Sequence, residues 1–133
     1  MELKPLFTVT GTAVVEPLGK VQGGERIKIE YRGVTAGNSV VTGKAHGSDW
    51  ILVGPLGPGE TNSVCEISTP EKEHVVVELR GYALSHNGSG YEIRTAGLIR
   101  TSATRFTELN GRVALVVAQM RADNTIEVTA YQF

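Results

Sequence analysis

Short runs rich in Val, Ile and Thr recur along the whole chain with Gly, Pro and Asn between them, and nowhere does a helical period hold. That rhythm specifies an all-β protein. It predicts strands over 6–15, 26–32, 39–45, 49–53, 62–68, 74–84, 91–99, 113–120 and 125–133, and at most one short helical turn, over 103–109. The turns between them include Gly23-Gly24, the double Gly-Pro segment Gly54-Pro55-Leu56-Gly57-Pro58, and Ala122-Asp123-Asn124. The pair Asn87-Gly88 supplies the positive φ that a hairpin needs. Eight to ten short strands in one domain spanning 1–133 must stack as a sandwich or close on themselves, because open edges invite aggregation. A final strand at the chain end suits a closed antiparallel β-barrel in which it pairs with an early strand. An eight-stranded barrel is just wide enough to be filled by side chains or to hold one small ligand.

Charge narrows the partners. Lys and Arg total 13 against 14 for Asp and Glu, without the basic excess that nucleic acid or an anionic membrane surface demands. The expected partner is a small molecule or another protein. The lone Cys65 cannot form an internal disulfide, and neither an export leader nor a long apolar run is present, so a cytoplasmic location is expected. His46, His74 and His86 share no ligand spacing, and no Gly-rich phosphate loop opens a helix. Neither a metal nor a cofactor is expected.

Alternation along the strands singles out the chemistry-bearing residues. Ile27, Ile29 and Tyr31 share one face of their strand, opposite Arg26, Lys28, Glu30 and Arg32. On the long middle strand Glu78 and Arg80 share a face with Val76 and Tyr82, opposite the wholly apolar Val75, Val77 and Leu79. Either the apolar face is the core and Glu78 and Arg80 stand in water, or the charged face lines a cavity; periodicity does not choose. The only tryptophan, Trp50, follows Asp49 directly. Trp50 is either a core anchor beside a turn acid, or the apolar wall of a pocket with Asp49 at its mouth. In the second case shielding from water lifts the Asp49 pKa toward neutrality, as acid/base work requires. His46 is the histidine nearest this segment.

Several fragments also share an order with a known family: Leu3-Lys4-Pro5-Leu6-Phe7, Gly47-Ser48-Asp49-Trp50-Ile51-Leu52-Val53, Val77-Glu78-Leu79-Arg80-Gly81-Tyr82, Tyr91-Glu92-Ile93-Arg94-Thr95, and Arg105-Phe106 with Leu109-Asn110. In these the chain resembles the family called domain of unknown function 3237. The resemblance implies a closed barrel similar to allene oxide cyclase and lipocalin-like barrels, often a homodimer, with no settled reaction. It also implies a shared cavity for Asp49, Trp50 and Arg80, with Glu78 joining through its shared face. Asn62, where the family tends to carry aspartate, and Glu30, where it favours isoleucine, imply a reshaped pocket. The function expected on this basis is a cofactor-independent isomerase, cyclase or lyase. Asp49, Arg80 and Glu78 would be catalytic, and Trp50, Tyr31, Arg94 and His46 would contact the substrate. The alternatives are a non-catalytic ligand-binding barrel and a dimeric interaction module without a pocket.

Overall fold

In a computed structural model, which describes residues 2–55, 58–85 and 89–133, eight antiparallel strands close into one barrel. They are β1 (Lys4–Val21), β2 (Gly24–Thr35), β3 (Lys44–Val53), β4 (Gly59–Ser68), β5 (His74–Ser85), β6 (Gly90–Thr101), β7 (Val113–Arg121) and β8 (Thr125–Gln132). Each strand pairs with its neighbours in chain order, and β8 returns to pair with β1, from Lys4 opposite Gln132 to Thr12 opposite Thr125. A single 3-10 helix, Thr104–Leu109, is the helical turn expected over 103–109. No helix among the described residues is long and apolar enough to cross a membrane. His86 and the Asn87-Gly88 turn lie outside the described residues, as do Leu56 and Gly57 of the double Gly-Pro segment.

Period-two alternation puts Phe7, Val9 and Ala13 of β1, Ile29 and Tyr31 of β2, Val75, Val77 and Leu79 of β5, and Val116 and Ala118 of β7 into one buried apolar cluster. Burying these side chains, at about 1.5–3 kcal/mol for each large one, is what closes the sheet.

Most strands run one to three residues past their expected bounds, and two boundaries differ by more. β1 does not stop at Val15. It runs on through Pro17 to Val21, with a bulge that shifts the register between Pro17 and Gly19 and Gly19 taking a φ of 98°. The strand expected over 39–45 is instead largely a loop, and β3 is one continuous strand from Lys44. Val40 and Val41 donate their backbone N–H groups to the same Leu6 carbonyl, at 2.8 and 3.4 Å, and Ala36 donates to the Thr8 carbonyl at 2.8 Å. The segment thus covers the edge of β1 that β2 leaves free without building a ladder of its own.

The two ends of the barrel are unlike. At the end where β6 passes to β7, the 3-10 helix places Phe106 and Leu109 in the core cluster and shares a hollow with Lys4 of β1, Val40 and Gln132 of β8. Asn110 fastens it, accepting from the Thr101 backbone N–H at 2.7 Å and donating to the Thr101 carbonyl at 2.9 Å. At the opposite end the inward positions Val15, Ile27, Val53 and Tyr91 are only partly buried. Among the described residues no element like the 3-10 helix crosses them.

Candidate functional site

The outer wall corrects the expected shared cavity. Trp50 is 41% exposed, neither a core anchor nor a pocket wall inside the barrel. In register it lies between Lys28 and Asn62, with Asn62 in turn opposite Arg80. Lys28 Nζ sits 4.7 Å from the indole centroid and Arg26 Cζ 5.9 Å from it. Glu78 and Arg80 are exposed, and Glu78 pairs with Arg100 at 3.3 Å. Arg94, also exposed, bonds Glu92 at 2.9 Å, and His46 Nε2 lies 3.2 Å from Glu30 Oε1 on the same outer side. Trp50, Glu78 and Arg80 do come together, but around an outer groove of about 500 Å³ floored by Ala96 and Gly97. The physical reason is a choice between two faces of β5. Burying Glu78 and Arg80 would remove two charges from water at a cost of several kcal/mol each, while burying Val75, Val77 and Leu79 is favourable.

Inside the barrel the chemistry gathers around Asp49, which is 4% exposed. Because Asp49 and Ile51 share a face of β3, the alternation that turns Trp50 outward turns Asp49 inward. Ser63, directly opposite on β4, donates its hydroxyl to Asp49 Oδ1, and Thr61 Oγ1 lies 3.3 Å from Ser63 Oγ. Asp49 Oδ2 is buried with no hydrogen-bond partner. Tyr31 lies on the other side, 4% exposed, in register with Gly47, across which Cys65 stands on β4. Gly47 makes room for it: a Cβ at that position would fall inside the Tyr31 ring.

Burial governs the ionisation of this cluster. It pushes Asp49 from 3.8 up to about 6, against the opposing hydrogen bond from Ser63. Burial likewise pushes the Cys65 thiol up to about 11, and holds the Tyr31 phenol well above its ordinary value. Both therefore stay neutral where Asp49 titrates. A buried carboxyl that keeps one oxygen unpaired, costing about 1–3 kcal/mol, is a group held ready to give or take a proton.

Of the residues expected at the site, Asp49 and Tyr31 meet inside the barrel; Trp50, Glu78, Arg80, Arg94 and His46 do not. Ser63, Thr61 and Cys65 were not anticipated. Their strand carries polar residues on both faces, and the available signal was the parity Gly59, Thr61, Ser63, Cys65, Ile67 of small or apolar residues on one side. Among the described residues no three His, Cys, Asp or Glu side chains converge to hold a metal ion.

No family model matches the chain, and no curated protein matches it. Solved structures do. A conserved protein of unknown function from Rhodopseudomonas palustris superposes with a TM-score of 0.80 at 21% identity, over 98% of this chain and 96% of that one. A β-barrel-like protein from Acinetobacter baumannii gives 0.78 at 23% identity, over 98% and 94%. An enzyme from Penicillium herquei gives 0.68 at 17% identity, over 98% and 93%. At these identities the likeness establishes the barrel fold alone.

Proposed function

We propose that the barrel is a small tailoring enzyme, an isomerase, cyclase or lyase, that moves one proton between Asp49 Oδ2 and an oxygenated, moderately apolar substrate held inside it. The observation that carries this reading is the buried, unpartnered Asp49 Oδ2. Burial brings its pKa to about 6, close to the pH at which a group must both hold and release a proton. The half-buried ring of Val15, Ile27, Val53 and Tyr91 gives an apolar body a way in, and the barrel wall fixes its conformation, which by itself lowers a barrier. Asp49 is the catalytic residue; Ser63 orients it, and Tyr31 shapes the wall beside it. Arg80 and Glu78 have no part in the proton transfer, and the step needs no cofactor. The use of a barrel of this outline as an enzyme in Penicillium herquei is in keeping with this reading.

The test is incubation of a metabolite extract with wild-type protein, with Asp49→Asn and with no protein, followed by untargeted mass spectrometry. At least one compound is expected to be converted by the wild type, with conversion reduced at least about 100-fold in the variant. A thermal shift with that compound, retained by Asp49→Asn, would show that the variant still binds. Identical profiles in all three samples would rule out catalysis on those metabolites, and undiminished turnover by the variant would move the chemistry away from Asp49.

A further inference from the structure

Resting on the interior site proposed above, we infer that the molecule this barrel takes is uncharged and presents a carbonyl oxygen to Asp49 Oδ2, its apolar body lying toward Val15, Ile27, Val53 and Tyr91. Carboxylates and phosphates are excluded.

The exclusion follows from where the cations are. Among the described residues no lysine, arginine or histidine is buried, and Arg26, Lys28, Arg80 and Arg94 all stand on the outer wall. An anion inside would lose its hydration with no cation to replace it, whichever form Asp49 takes, and would be repelled besides wherever that carboxyl is ionised. Arg80 and Arg94, which the sequence placed at the site, are exposed and hold no anionic oxygen inside the barrel.

The choice of an acceptor oxygen follows from the hydrogen bonds. Ser63 already donates to Oδ1, so Oδ2 is the oxygen left to meet a ligand. An apolar body entering the barrel drives out residual water, and desolvation favours the neutral acid further. In that form Oδ2 carries the proton and is a donor, which a ketone, ester or lactone oxygen satisfies. A cationic amine would need the ionised carboxylate and would bring more N–H donors than the one free oxygen accepts. A carbonyl polarised by an acid is also the group on which isomerisation or ring closure by proton transfer begins.

Among the described residues the buried titratable groups that feel Asp49 are Tyr31 of β2 and Cys65 of β4, and its partners in register are Ile29 and Ser63. Tyr31 and Cys65 remain protonated throughout the neutral range, so binding reports on Asp49 alone.

The experiment titrates the wild-type protein with acetophenone, benzoate and benzylamine, followed by ligand-observed NMR from pH 5 to about 8.5. Acetophenone is expected to bind with an affinity that is flat below pH about 6 and falls by up to about tenfold per pH unit above it. Benzoate is expected to bind at least about tenfold more weakly than acetophenone at neutral pH. Asp49→Asn, whose amide N–H also donates, should keep acetophenone and lose the pH dependence. Benzoate binding as well as acetophenone, or benzylamine binding best with an affinity that rises through pH 6, would overturn the inference. Equal, pH-independent binding of all three would overturn it while leaving the interior site standing. Binding of none would remove both.

Discussion

Asp49 and Trp50 are adjacent in the chain and belong to different worlds. One is sealed inside the barrel with a single hydrogen bond, and the other stands in water between a lysine, an arginine and an asparagine. The same split runs along β5, where Val77 and Leu79 are buried and Glu78 and Arg80 are exposed. Outside, charges are plentiful and individually weak: Glu78 with Arg100, Arg94 with Glu92 and Glu30 with Lys28 are exposed or partly exposed pairs of the kind worth about 0–1 kcal/mol. Inside, among the described residues, there is one carboxyl, and the missing solvent makes its protonation state a property of the whole barrel. Chemical capacity here tracks isolation from water more closely than it tracks the number of charged groups.

The contrast can be broken first on β5. Leu79→Ala is expected to lower the unfolding free energy by about 2–5 kcal/mol in a urea titration. Its chain neighbour tests the other face: Glu78→Ala should stay within about 0.5 kcal/mol of wild type. A large loss at Glu78 with little loss at Leu79 would mean that the strand is turned the other way.

Asp49→Asn gives a smaller effect that depends on pH. The folded protein holds its proton up to about 6 and the unfolded chain only to about 3.8, so the folded state binds the extra proton between these values. The burial penalty is therefore absent below pH about 4, grows across the interval and is complete above about 6, reaching about 3 kcal/mol. The variant lacks that penalty, so its stability relative to wild type should rise by up to this amount between acid and neutral pH. A difference that does not change with pH would contradict the burial of Asp49.

The strands, the closure and the helical turn were legible because alternation and turn residues are local signals. Two local signals misled. Val40 and Val41 have the side chains of a strand, yet their N–H groups both meet one carbonyl of β1. The gap expected between strands over 39–45 and 49–53 is absent, and Gly47 within it is the clearance that Tyr31 needs inside β3. At the site, alternation established that Glu78 and Arg80 share a face but not which way that face points, because orientation is decided by the closed barrel and not by β5 alone. The family resemblance then drew Asp49, Trp50 and Arg80 into one cavity although Asp49 and Trp50 are consecutive on a strand. Ile51 offered the correction, since it shares the parity of Asp49 and is buried.

The chain contains only two aspartates, Asp49 and Asp123, which makes one measurement decisive. Asp123 is exposed and accepts hydrogen bonds from the Thr125 hydroxyl and backbone N–H, which hold its carboxyl below the ordinary value. With 13C-labelled aspartate the two carboxyl carbons can be followed together by NMR as pH is varied. An inward Asp49 predicts one resonance titrating near 6 and the other below 3.8. Two resonances both titrating at or below 3.8 would place Asp49 in water and leave the barrel without its interior acid.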